Sequence, residues 1–207
     1  MKRFSISVMF LMLLNFQPAL VAQQNQQWKQ VTDDDGIQVY TIDVPNTDIV
    51  KAKAIAQIKA PLKKVQQELD DIDSRHEWVP FLKQSKLIIV KSNTARLEYS
   101  LFSAPWPASN RDFVYKLQLI KQTSDELIYK MYSVNTELMP ETDKYIRGEI
   151  FESIYTLTKI NENLTRVELS YHADPKGWLP NWIVNIIQRV LPYKILRNLR
   201  KRLEERD

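Results

Sequence analysis

The sequence predicts an α+β fold in which an antiparallel sheet lies against one long C-terminal helix. Between Gly177 and Arg206, Trp182, Ile183, Ile186, Ile187, Val190 and Leu191 recur at steps of three and four, and Ile195, Leu196, Leu199 and Leu203 continue them. That is the period of an amphipathic helix. Ahead of it, from Leu87 to Ala173, strand-like runs follow one another across short polar turns. No other stretch reads as a long helix, so the apolar stripe has a sheet as its partner.

The first 22 residues stand outside that fold. Lys2 and Arg3 precede a wholly apolar core, Val8 to Leu14, and Pro18 and Ala22 follow, the pattern of a secretory signal peptide. The run is short for a transmembrane helix. Cleavage is expected after Ala22, although Leu20 is larger than the residue usual at that place, which leaves an uncleaved anchor open. The expected address is therefore the periplasm or the exterior. Residues 23–207 then form one domain, with no Gly/Ser-rich linker or internal repeat to divide it. Losing Lys2 and Arg3 takes the formal charge from +4 to +2, a balance that argues against nucleic acid as a partner. With no cysteine, disulfides and Cys-based zinc or redox sites are excluded.

In chain order, Trp28 to Val31 reads as a short helical turn, the acidic run from Asp33 to Gly36 as a polar turn, and Ile37 to Val44 as a strand. The three aspartates lack the alternating ligands and closing glutamate of a calcium loop, so no metal is expected. Lys51 to Ala60 alternates wet lysines with Ala52, Ala54, Ala56 and Ile58, the pattern of a half-buried strand. An alanine face either lets a helix approach closely or leaves room for something other than protein. Pro61 opens a helix, Leu62 to Ile72, with Leu62, Val65, Leu69 and Ile72 on one side. His76, in the short helical or irregular piece after it, has no partner motif and reads as a surface or helix-end histidine.

Strands are then expected at Leu87 to Lys91, Thr94 to Phe102, Asp112 to Lys121, Glu126 to Val134, Tyr145 to Ile160 and Thr165 to Ala173. Ser92-Asn93, Thr123 to Asp125 and Asn161 to Asn163 supply the turns of an antiparallel meander. Ala95, Leu97, Tyr99 and Leu101 alternate with Arg96, Glu98 and Ser100, and the apolar parity slips within Tyr145 to Ile160, which predicts a bulge. Two connections are unlike turns. Ala104 to Asn110 holds Trp106 between two prolines, and Asn135 to Lys144 carries Leu138, Met139 and Pro140 at its tip. Apolar residues there either fold back as a lid or touch a membrane or partner. Pro192 predicts a kink in the C-terminal helix.

The motif PWPASNRDFVY resembles the core motif of START domains, the steroidogenic-acute-regulatory-related lipid-transfer modules. GIQVY, Trp78, MPETDKYIRGE and YHADPKGWLPNWIVN resemble the family's pattern in the same order, from Trp28 to Glu205. The resemblance implies the helix-grip fold, a curved antiparallel sheet wrapped around the C-terminal helix with a lipid-sized cavity between them. It implies that the loop 135–144, through Leu138, Met139 and Pro140, gates that cavity with the helix. It gives Arg111 and Asp112 a structural role in the turn entering their strand. Some sterol-binding members carry a second buried arginine six residues after Arg111; Leu117 stands there, so an anchor of that type is not expected.

The expected function is therefore binding, and transfer, of one hydrophobic molecule without cofactor or catalysis. From the apolar faces, the expected lining is Ala54 and Ala56, Leu97 and Tyr99, Phe113, Tyr115 and Leu117, Leu169 and Tyr171, and Ile183, Ile187 and Val190 of the helix. The expected partners are a lipid or other apolar small molecule and transient contact with a membrane surface, and the expected state is a monomer. The basic cluster of Arg189, Lys194, Arg197, Arg200, Lys201, Arg202 and Arg206 is either a headgroup-docking face or a solvated helix end. Two other classes stay open. Helix-grip folds also host aromatase/cyclase-type enzymes, although no catalytic motif is present, and a filled cavity would suit a partner-binding envelope protein.

Overall fold

The structure, a computed structural model, describes residues 27–180, 183–184 and 186–205. The signal-peptide segment, Trp182 and Arg206 lie outside the described residues. Strands β1 (Lys29–Asp34), β2 (Ile37–Ile42) and β3 (Lys51–Ile58) lead into helix α1 (Leu62–Asp70) and a 3₁₀ turn, Arg75–Glu77. Then come β4 (Leu82–Ser92), β5 (Ala95–Phe102), β6 (Arg111–Gln122), β7 (Glu126–Ser133), β8 (Ile146–Arg147), β9 (Glu149–Asn161) and β10 (Leu164–Asp174). They make one sheet in the order β1-β2-β3-β10-β9-β7-β6-β5-β4, antiparallel throughout, with the short β8 parallel to β6.

The N-terminal segment differs from expectation. Trp28 to Val31 is no helical turn, because from Lys29 the chain pairs with β2 as strand β1. The hairpin turns on Asp35 and Gly36, both with positive φ (51° and 67°). Those angles match the twist of a tight two-residue hairpin. The run 145–160 is also divided. A side chain at Gly148 would place its Cβ 2.3 Å from the Phe113 ring, so glycine alone lets β8 and β9 part there. The predicted bulge is present. Pairing with β10 slips between His172 and Ala173, which are opposite Glu152 and Ile150, leaving Phe151 unpaired.

The C-terminal stretch is not one uniform helix. A π-helical turn, Ile186–Val190, precedes helix α2 (Leu191–Glu204), and Pro192 sits in the first turn of α2. Proline has no N–H to donate, and in a continuous helix its ring would collide with the carbonyl four residues earlier. A wide turn followed by a fresh helix start removes both conflicts. Helix α2 packs chiefly across β3. There Ala52, Ala54 and Ala56 are buried, and Leu196 and Leu199 of the helix are fully buried. Of the two uses open to an alanine face, close helix approach is the one realised.

Candidate ligand-binding cavity

Beyond the alanine strand the sheet curves away and a cavity of about 340 Å³ remains. The inner faces of four strands supply much of its wall: Phe113, Tyr115 and Leu117 from β6, Tyr129 and Met131 from β7, Ile150, Ser153 and Tyr155 from β9, and Leu169, Tyr171 and Ala173 from β10. Leu179, Ile183, Ile186, Ile187, Leu191 and Ile195 cover it. The cover is tied to the wall by the Tyr171 hydroxyl, which donates to the Ile187 carbonyl of the π turn.

One part of the wall is polar. Arg75, on the 3₁₀ turn, reaches in through Nη1 to Glu98 Oε2 at 2.5 Å and to the Tyr115 hydroxyl at 3.2 Å, and through Nη2 to the Leu69 carbonyl at 2.8 Å. Tyr115 also donates to Glu98 at 2.9 Å and meets the Ser100 hydroxyl at 2.9 Å. Arg96 Nε holds the other Glu98 oxygen at 2.5 Å, and its Nη1 reaches Asp70 at 3.0 Å. Burial alone would lift the Glu98 carboxyl. The two guanidinium groups outweigh it and hold the group below the usual glutamate range. Burial likewise opposes the charge on Arg75, yet Tyr115 and Glu98 keep its pKa raised. Tyr115 is pushed up first by burial, then by Glu98, while Tyr155 and Tyr171 are pushed up by burial. The three hydroxyls remain protonated and able to donate.

Of the residues expected to line the cavity, Phe113, Tyr115, Leu117, Leu169, Tyr171, Ile183 and Ile187 do so. Ala54 and Ala56 do not, because α2 occupies the space in front of them. Val190 does not, because the wide π turn advances the stripe to Ile186, Ile187 and Leu191 and leaves Val190 partly exposed. Leu97 and Tyr99 are on the wrong face of β5. Tyr99 and Leu101 join Val114 in a separate cluster on the opposite side of the sheet, covered by Met139, Tyr145 and Val134. The parity of β5 is therefore inverted. Ser100 and Phe102 line the cavity, and Glu98 lies behind them. Alternation alone pointed the other way because a loop covers the outer face, so both faces of β5 are buried. Arg75 was missed as well, since it comes from a turn. Its only sequence signal is a buried Arg–Glu complement that a linear pattern cannot pair.

The loop 135–144 does not cover the cavity. Asp112 pairs with Arg147 through two hydrogen bonds of 2.9 and 3.0 Å, and Arg147 donates to the carbonyls of Met139 and Pro140. Met139 thus packs on the outer cluster while Leu138 stays exposed. Burial and the Asp112 carboxylate push the Tyr99 hydroxyl below this loop up to about 12. Arg111 and Asp112 have separate partners, for Arg111 donates to the carbonyls of Ser109, Pro175, Lys176 and Trp178. Part of the basic cluster is also engaged. Arg200 pairs with Asp35, and Arg202 with Glu68 and Glu77. Among the described residues no group of His, Asp and Glu is placed to hold a metal ion.

A family model described as START domain matches residues 16–206, beginning inside the segment read as a signal peptide. The mitochondrial steroidogenic acute regulatory protein of Equus caballus is 27% identical over 195 residues, covering 91% of this chain and 68% of that protein. The phosphatidylcholine transfer protein of Rattus norvegicus is 24% identical over 174 residues, 82% of this chain and 78% of its own. Among solved structures, the STAR-related lipid transfer protein (fragment 25–204) from Xanthomonas axonopodis superposes with a TM-score of 0.74. It is 27% identical, and the match covers 86% of this chain and 98% of that one.

Proposed function

This chain belongs to the START domain family, and from that premise we propose that it binds one hydrophobic molecule between the sheet and the C-terminal segment. The observation that carries the reading is the cavity of about 340 Å³, inside the range of ligand pockets, roughly 300 to 1,000 Å³. Its relatives named for steroidogenesis and phosphatidylcholine transfer support a lipid class without choosing between them. The walls suit an acyl chain or a compact polycyclic body, whose burial contributes about 25 cal/mol per Å² of apolar area. Arg75, Ser100, Tyr115 and Tyr155 suit one uncharged polar group, a hydroxyl or carbonyl, on that body. Exchange requires the cover from Ile183 to Leu191 to lift, which breaks the hydrogen bond from Tyr171 to Ile187. Export to the periplasm or exterior belongs to the same reading and rests on the N-terminal segment.

The aromatase/cyclase alternative needs a proton-transfer group facing the ligand. Glu98 is the buried carboxylate behind this wall, and two arginines and a tyrosine hold it ionised and occupied. Such a carboxylate is a poor base.

Native mass spectrometry of the exported protein, with organic extraction of what copurifies, tests the reading. A stoichiometric apolar adduct is expected, absent from Leu117→Asp or Ile187→Asp variants that keep their circular dichroism. A bare mass after incubation with envelope lipids overturns it. The same spectrum reads the N-terminus and shows whether cleavage follows Ala22.

A further inference from the structure

Helices α1 and α2 both pack on the cavity side of the sheet. The opposite face carries neither, and between β3 and β6 lysines gather on it. Strand alternation places Lys51 and Lys53 of β3, Lys130 of β7 and Lys116 of β6 there, because their neighbours Ala52, Ala54, Tyr129, Tyr115 and Leu117 are buried on the inner side. Glu152 of β9 stands among them, 2.6 Å from the Lys51 ammonium and 3.2 Å from that of Lys130. The Lys51 hydrogen bond, foremost, holds the Glu152 carboxyl below the usual glutamate range. Four lysines against one ionised glutamate leave the face strongly positive.

The other two lysines are held by rings. Lys53 Nζ lies 4.3 Å from the centre of the Trp28 ring and 5.4 Å from that of Tyr40, and Lys116 Nζ lies 5.9 Å from that of Tyr132. Among the described residues neither lysine pairs with a carboxylate. An aromatic face holds an ammonium group without cancelling its charge. These cations therefore keep their places and stay available to an anion from outside.

The layout also limits what that anion is. In the order β3-β10-β9-β7-β6, Lys53 and Lys116 are four strand spacings apart, about 19 Å. Across that span the sheet wraps the cavity, so the face is convex. A flat bilayer reaches only its crest, whereas an extended peptide follows the curve and covers the distance with about six residues. Ser170, opposite Lys53, and Gln118, opposite Lys130, offer hydrogen bonds between the charges. Each of these strands already has a neighbour on both sides, so recognition here is by side chains and not by strand addition.

We propose that this convex face docks an acidic segment of a partner protein, an extended run whose carboxylates meet Lys53, Lys116 and the lysine pair around Glu152. The cavity lies on the other side of the sheet, so the docking does not rest on the ligand-binding reading.

The test is fluorescence anisotropy of a labelled, end-capped hexaglutamate peptide with the full exported protein, at low and high salt. Wild type is expected to bind hexaglutamate and not hexaglutamine, and to weaken as salt screens the contacts. Lys53→Gln/Lys116→Gln should bind about tenfold more weakly. Glu152→Gln, which releases Lys51 and Lys130, should bind about threefold more tightly. Lys194→Gln/Arg197→Gln, which removes the same charge from α2, should bind as wild type. None of these side chains is in the core, and circular dichroism should be unchanged throughout. Equal affinity of wild type and the Lys53/Lys116 variant overturns the proposal, as does an equal loss in the α2 variant, which would mean attraction to net charge alone. Phosphatidylglycerol vesicles held through Lys53 and Lys116, with hexaglutamate left free, would give the face to a membrane and overturn it too. Loss of hexaglutamate binding with the apolar adduct retained defeats the docking face alone, and the converse defeats the ligand reading alone.

Discussion

The two halves of the C-terminal stretch carry similar apolar spacing and end in different surroundings. From Leu196 to Leu203 the stripe meets the alanines of β3 and packs solidly, with Leu196 and Leu199 fully buried. From Ile183 to Leu191 the same kind of residue faces the cavity, across from tyrosines and leucines of the curved sheet. What differs is the partner. Small side chains on a strand bring the helix down onto the sheet, and large ones set on a diverging surface hold it off. A π turn just before Pro192 marks the change from one regime to the other.

The largest expected effect concerns the wall of the cavity half, which is not loosely built. Glu98→Ala leaves Arg75 buried without its carboxylate, and the expected cost is about 3–5 kcal/mol, read by urea denaturation. The same pair sets an acid dependence. The folded pKa of Glu98 is depressed, so its contribution is complete above the ordinary glutamate value and lost as pH falls through the folded value. A Glu98→Gln variant should be less stable at neutral pH and show a shallower loss of stability in acid. An unchanged acid slope would mean that other carboxylates govern it.

The comparison itself is tested by the next pair. Leu196→Ala in the solid half should cost about 2–5 kcal/mol, whereas Ile187→Ala should cost about 1 kcal/mol, since a side chain at a void loses fewer packed contacts. Equal costs would show that the cavity collapses in solution. Ala54→Leu should overpack the close approach of α2 and cost about 1–3 kcal/mol. An increase in stability would mean that space remains there. The smallest effect is expected for Tyr171→Phe, about 0.5–1.5 kcal/mol for one hydrogen bond. Because that bond ties down the cover, release of a fluorescent fatty acid should quicken more than stability falls. Unchanged release would locate the rate-limiting opening elsewhere.

Much of the fold was legible as linear periods. The alternating strands, the helix after Pro61, the polar turns and the bulge near Phe151 follow from spacing that each segment carries by itself. The cavity was legible only in part, and the errors share a cause. Leu97 and Tyr99 look inward on a period-two count, but Met139 and Tyr145 from a distant loop bury the outer face of β5. The charged parity that a half-wet strand would turn to solvent faces Arg75 instead.

The sequence by itself determined an antiparallel sheet with an amphipathic C-terminal segment and, through separated motifs in register, the family. Those are properties of neighbours along the chain, where side-chain spacing and turn chemistry act directly. Only the tertiary structure decided which face of β5 looks inward, that Arg75 rather than a residue at position 117 supplies the buried guanidinium, and that loop 135–144 lies on the outer face. The reason is physical: burial and charge pairing are set by what arrives from elsewhere in the chain, and neither period nor propensity records it.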